Sequence, residues 1–224
     1  MRKITLILNI LLLLITLSAA IYYSQEGGTM MKGLTSLGFV LIGGVNLAAA
    51  SPASRPGGYV LIMATGLLLG MAADVALNLE YILGMALFML GHICYIWAFH
   101  KRFPLRRKDL IFSGILFLGC LLLLLLYPFR FASPLMQMMC ILYSLIISLM
   151  LGKALSNHLQ EKSIHSLLLF LGSFLFFFSD LMLVFAHFGG ASALVGDICI
   201  LTYYPAQCLI AHSLYYSRKI VRPQ

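Results

Sequence analysis

Two aspartates interrupt long apolar runs: Asp74 in LLLGMAADVALN (67–78) and Asp180 in FFFSDLMLVF (176–185). A charged group at such a position costs about 2.5–3.5 kcal/mol to insert into a bilayer, so it is kept where it faces a partner, a cavity or a bundle interior. Other polar side chains share these apolar runs: His92, Tyr95, Ser179, Tyr203, Tyr204, Gln207 and His212. Two acids at similar depth point to one polar cavity, where a carboxylic acid beside a carboxylate is equipped for general acid catalysis with electrostatic support. The same residues also fit a structural reading, in which each aspartate accepts a hydrogen bond from a histidine, a tyrosine or Gln207 and fixes helix packing. A third arrangement, a zinc ion held across helices by His92, Asp180 and His212, has suitable ligand types but no HExxH spacing behind it. The five cysteines, Cys94, Cys120, Cys140, Cys199 and Cys208, form no CxxC and no cluster with histidine. They read as small buried hydrophobes.

The elements that must position these groups are membrane helices. Of 224 residues, 62% are hydrophobic and 10% charged, and the mean hydropathy is +1.00. A soluble domain carries about 25% charged residues. The apolar segments predict an all-α integral membrane protein with eight transmembrane helices near 4–24, 33–50, 58–79, 81–99, 110–127, 134–155, 164–187 and 194–216. The second is short and contains Gly43, Gly44 and Asn46, and only Asn78, Leu79 and Glu80 separate the third from the fourth. The start resembles a signal peptide, but its apolar stretch is long and reads as a retained first span.

The basic residues orient the bundle. With the N terminus inside, the inner segments hold Arg2, Lys3, Arg55, the KRFPLRRK stretch at 101–108, Lys153, Lys162, Arg218, Lys219 and Arg222, leaving Lys32 and Arg130 outside. This bias places both termini in the cytoplasm. The +8 net charge therefore reads as topology, and KRFPLRRK as a juxtamembrane anchor rather than a nucleic-acid site. Lys153 is expected to face the cytoplasm. Asp74 and Asp180 sit in spans that both run outward, which puts them in the outer half of the bilayer.

A faint repeat of four plus four parallel spans is also visible. Asp74 is followed in the next span by His92-x-x-Tyr95, and Asp180 by His212-x-x-Tyr215. Gly66, Gly70 and Ala73 give the third span a small-residue side that permits close helix approach. Phe174, Phe176, Phe177 and Phe178 read as lipid-facing or core residues, or as the lining of a channel for an acyl chain.

GMAADVALN (70–78), LGHICYIWAF (90–99), FFFSDLMLVF (176–185) and YYPAQCLIAHSLY (203–215) together resemble the YhhN/TMEM86 lysoplasmalogenase family of eight-span proteins. The stretches cover most of the chain in the expected order. Two positions depart from the family pattern: Ala73–Asp74 stands where Gly-Asp is usual, and Lys32–Gly33 where Lys-Pro is usual.

The resemblance implies hydrolysis of the vinyl ether bond of lysoplasmalogens, giving a fatty aldehyde and a glycerophosphoethanolamine or glycerophosphocholine. Asp74, Asp180 and His92 would be catalytic. Tyr95, Tyr203, Tyr204 and Gln207 would position the acids or the ether oxygen, and Lys32 or Arg130, the two basic residues left outside by the charge bias, would meet the phosphate. No metal or organic cofactor is required by that scheme. The partners would be the lysophospholipid, membrane lipid and water, and the setting a bacterial inner membrane. Without the resemblance, the intramembrane acids suit a proton-coupled lipid or small-molecule transporter. A structural subunit with polar helix contacts is a further reading.

Overall fold

Short breaks, not long loops, cut the apolar sequence into helices. In the computed structural model, residues 2–49 and 58–217 are described. Arg55, Arg218, Lys219 and Arg222, used above for orientation, lie outside that range. The described residues form α1 (Arg2–Glu26), α2 (Thr29–Ala48), α3 (Tyr59–Leu79), α4 (Tyr81–Arg102), α5 (Arg107–Leu126), α6 (Pro134–Glu161), α7 (Ile164–Phe188) and α8 (Ala193–Tyr216). All eight are long and apolar enough to cross a membrane. Helices suit that setting because they satisfy their backbone polar groups internally.

The turns follow from local chemistry. Gly27 and Gly28, with φ of 70° and 93°, reverse the chain between α1 and α2 in a left-handed conformation that side chains resist. Between α3 and α4 the break is a single extended residue, Glu80, whose carboxylate accepts the Leu83 amide and caps α4. Ser133 and Ser163 cap α6 and α7 in the same manner. Two bounds differ from the apolar pattern by four residues or more. The second helix begins at Thr29, immediately after the glycine pair, and α6 runs on to Glu161 because SNHLQE continues the helix beyond the apolar segment.

Within each group of four, successive helices pack as antiparallel hairpins, and most contacts repeat under a shift of four, the α1–α8 packing having no comparable α4–α5 counterpart among the described residues. The pairs α1–α2, α2–α3, α3–α4 and α2–α8 correspond to α5–α6, α6–α7, α7–α8 and α6–α4. Close approach depends on glycine where the α3–α4 hairpin turns. A Cβ at Gly84 would lie 2.6 Å from the Leu77 backbone. The first span is tied in by a reciprocal amide pair, Asn9 Nδ2 to Asn46 Oδ1 at 2.8 Å and Asn46 Nδ2 to Asn9 Oδ1 at 3.0 Å.

The end holding Lys101 to Lys108 is locked by polar contacts. Lys153 is 2% exposed; it donates to Asp109 Oδ2 at 2.6 Å and to Pro104 O at 2.9 Å. This corrects the expectation that Lys153 faces the cytoplasm: the buried Asp109 carboxylate at the start of α5 draws it inward. Arg102 forks onto Glu161, joining α4 to α6. His165 Nδ1 donates to Ser213 O at 2.9 Å, so Nε2 accepts the Tyr59 hydroxyl at 3.0 Å, and α3, α7 and α8 are joined.

Candidate active site

Asp74 and Asp180 line one cavity of about 290 Å³. At 1.5 Å per residue they lie about 8 Å and about 12 Å from the C-terminal ends of α3 and α7, so the cavity occupies the half of the bundle that holds Lys32. Its wall also includes Tyr23, Asn78, Tyr81, His187, Tyr203 and Tyr204.

The Asp74 carboxylate is surrounded by donors. Ser36 Oγ and Tyr203 OH both donate to Oδ2 at 2.6 Å, and Lys32 Nζ lies 3.9 Å from Oδ1. Lys32 also donates to Asn78 Oδ1 at 3.3 Å, one turn beyond Asp74 on α3. The hydroxyls come from α2 and α8, and the carboxyl reaches them because α3 presents small residues on that side. A Cβ at Gly70 would sit 2.6 Å from Gln207 Nε2, and one at Gly66 would sit 2.4 Å from the Tyr95 ring. Gln207 Nε2 donates to Tyr203 OH at 3.4 Å, and Tyr95 OH donates to Gln207 Oε1 at 3.0 Å. Tyr95 and Gln207 therefore stand behind Tyr203 and brace it, while Lys32, Tyr203 and Tyr204 form the wall itself. Tyr204 OH reaches back to Lys32 O at 3.4 Å.

Asp180 has a different shell. Tyr143 OH of α6 donates to Asp180 Oδ2 at 2.7 Å and lies 2.8 Å from His92 Nε2 of α4. His92 itself is 3.7 Å from Asp180 Oδ2, beyond hydrogen-bonding distance. The Asp180 side chain is 12% exposed against 2% for Asp74. It also borders a second, apolar groove whose walls include Cys120, Leu124, Cys140, Ser144, Ile147 and Phe177. The two cavities meet at Leu77, Tyr81, Phe88, Asp180 and Leu183. A polar chamber and an apolar slot thus adjoin, and Asp180 stands in the wall they share.

The other phenylalanines divide by role. Phe176 is fully buried and packs edge-on against His92, while Phe174 is 48% exposed on the outer surface of the bundle. Ser179 donates to Cys199 O at 2.9 Å and holds α7 against α8 at the chamber floor.

His212 lies elsewhere. It stacks on Tyr215 and lines a separate groove with Leu6, Asn9 and Pro205. The zinc arrangement of His92, Asp180 and His212 is therefore not assembled. Most helix contacts recur under the shift of four, but Tyr203, not His212, takes the place opposite Asp74 that His92 takes near Asp180. Tyr143 and Ser36 are the site residues that sequence reasoning missed. A lone tyrosine in ILYSLI and a serine in LTSLGF carry no local signal of a carboxylate partner.

Residues 28–214 match the model described as the YhhN family. Neither the curated proteins nor the solved structures contain a match to the chain.

Proposed function

This chain belongs to the YhhN family, and on that premise we propose that it is a membrane hydrolase that cleaves the vinyl ether bond of lysoplasmalogens. The observation that carries the reading is the pairing of two spaces: two carboxyls share a polar cavity, and one of them, Asp180, also lines an adjoining apolar slot. A single-chain lipid fits that division, with its glycerophosphate in the chamber, its hydrocarbon in the slot and the vinyl ether between them.

Enol ethers hydrolyse by protonation at the vinylic carbon distal to oxygen. Asp180, open to the chamber and adjacent to the slot, is the proton donor. Protonation yields an oxocarbenium ion, which an ionised carboxylate stabilises. Asp74 fills that role, because two hydroxyl donors and the Lys32 ammonium favour its negative form. Water then adds to the cationic carbon, its released proton returns to Asp180, and the hemiacetal collapses to aldehyde and alcohol. Lys32 and His187 line the mouth where the phosphate would rest. The charge bias makes this mouth periplasmic in a bacterial inner membrane, and a reporter fused at residue 130 tests that side.

The decisive assay presents purified protein with matched vinyl ether, alkyl ether and acyl lysolipids. Aldehyde release confined to the vinyl ether is expected. Cleavage of the acyl ester, or undiminished vinyl ether cleavage by folded D74N and D180N proteins, would overturn the assignment. Proton-driven lipid flux in liposomes without product formation would favour the transporter instead.

A further inference from the structure

We propose that Tyr143 is a positioning residue that relays a single proton between His92 and Asp180, so that the acid of this site is a three-membered unit and not one carboxyl. The inference rests on the hydrolase reading and extends it. Tyr143 OH lies 2.8 Å from His92 Nε2 and 2.7 Å from Asp180 Oδ2, whereas the direct His92–Asp180 separation is 3.7 Å. The hydroxyl is the hydrogen-bonded link between two groups that do not reach each other. The second observation is the far side of the imidazole. His92 is 1% exposed, and its Nδ1 has no hydrogen-bond partner. Phe88 and Phe176 pack against the ring. The hydrogen bonding of the imidazole therefore runs through Nε2 and Tyr143.

A hydroxyl both donates and accepts, so the chain has two directions. In one, the imidazolium Nε2–H donates to the Tyr143 oxygen and the Tyr143 hydroxyl donates to the Asp180 carboxylate. In the other, the Asp180 carboxylic acid donates to the Tyr143 oxygen and the Tyr143 hydroxyl donates to the bare Nε2. Conversion moves the Nε2 proton to Tyr143 as the Tyr143 proton moves to Asp180. Charges of +1 and −1 become two neutral groups, and the tyrosine is a phenol before and after. The second state is the competent acid. After the substrate carbon takes the Asp180 proton, the proton released by the adding water restores one proton to the unit.

Other ionisable groups lining the chamber and slot are Tyr23 of α1, Lys32 of α2, Asp74 of α3, Tyr81 of α4, Cys120 of α5, Cys140 of α6, His187 of α7, and Cys199, Tyr203 and Tyr204 of α8. None is hydrogen-bonded to His92 or Asp180. The two ends of the unit should therefore act together in the pH–rate profile, through the Tyr143 link.

The experiment is a pH–rate profile of purified wild type, Y143F, H92Q and the double variant on a vinyl ether lysolipid. Each variant is first checked for monodispersity and thermal unfolding. Wild type should show a bell. Y143F should lose about 10²-fold in kcat, the scale of an impaired general acid step, and one limb of its profile should flatten. H92Q should flatten the same limb. The double variant should be little worse than either single one, as expected for members of one network. An unchanged limb in folded Y143F, whether kcat falls or not, overturns the relay and leaves Tyr143 a packing residue. Additive losses in the double variant overturn it as well. Absence of cleavage by wild type would instead sink the hydrolase reading. In that case the relay is tested by ¹⁵N NMR of His92, whose Nε2 resonance should shift in Y143F if the hydroxyl link exists and stay fixed if it does not.

Discussion

Asp74 and Asp180 occupy corresponding places in the two four-helix halves, and their surroundings differ in an instructive way. Each lies on the third helix of its half, accepts a hydroxyl from the second helix of that half, and faces the fourth helix of the other half. Around Asp74 those neighbours are Ser36 and Tyr203, with Lys32 added. Around Asp180 they are Tyr143 and His92. The first set consists of donors and a cation that hold negative charge. The second contains a group able to give up a proton, and the carboxyl it serves is the more exposed of the two. Pairs of acids acquire separate roles when their environments diverge, and here the five neighbours named supply the divergence.

The largest expected effect tests that division directly. Asp180→Asn removes the proposed proton donor and should lower kcat by about 10³-fold, within the range of general acid catalysis. Asp74→Asn keeps the shape but loses the stabilising charge, and should cost about 10²-fold. Steady-state rates of aldehyde release by folded proteins measure both. A reversed order would exchange the two roles, and equal losses would mean that the neighbours do not distinguish the acids.

Smaller effects come from the shells. Tyr203→Phe removes one of the two hydroxyls on Asp74 and breaks its link to Gln207. A loss of about 10-fold in kcat is expected, close to the value of one hydrogen bond to a charged group. The slot should report on binding rather than chemistry. Ser144→Phe places a ring among Cys120, Cys140 and Ile147 and should raise KM about 10-fold for a long-chain substrate with little change in kcat. A short-chain analogue should be spared. An equal penalty on both chain lengths would argue that the hydrocarbon lies elsewhere.

How much of this was legible in the sequence differs between backbone and side chains. The eight helices follow from hydropathy, and the tight α3–α4 break was visible as Asn78–Glu80, because turn chemistry and apolar length are local properties. The two acids stood out because a carboxyl in an apolar run is costly wherever it occurs. Their partners did not. Ser36 and Tyr143 matter because three helices bring them to one point, and no periodicity encodes a contact between residues 38 or 37 positions apart. The HxxY repetition misled for the same reason: His212 matches His92 in motif, yet α8 turns it to a different face and offers Tyr203 in its place. Lys153 misled through its type, since a lysine near a helix end is expected to extend to water.

That buried lysine supplies a contrast with the acids of the chamber and the smallest predicted effect on rate. Asp109 and Lys153 are a buried ion pair with 2% exposure on each side chain, at the opposite end of the bundle from the chamber. They line neither the chamber nor the slot. Removing one member strands a buried charge, so Lys153→Met should destabilise the protein by about 3–5 kcal/mol. Replacing both, as D109L with K153M, removes the uncompensated charge, and most of that loss should be regained. Unfolding in detergent, followed by circular dichroism, measures both variants. Activity per folded molecule should remain within about twofold of wild type in the double variant, because the rise in stability cost with one substitution and its relief with two would be events of packing and desolvation alone. The acids of the chamber should behave in the opposite sense, with D74N and D180N losing rate far more than stability. If the double ion-pair variant unfolded normally yet lost catalysis, the two ends of the bundle would be coupled, and the separation between a structural charge pair and a chemical one would fail.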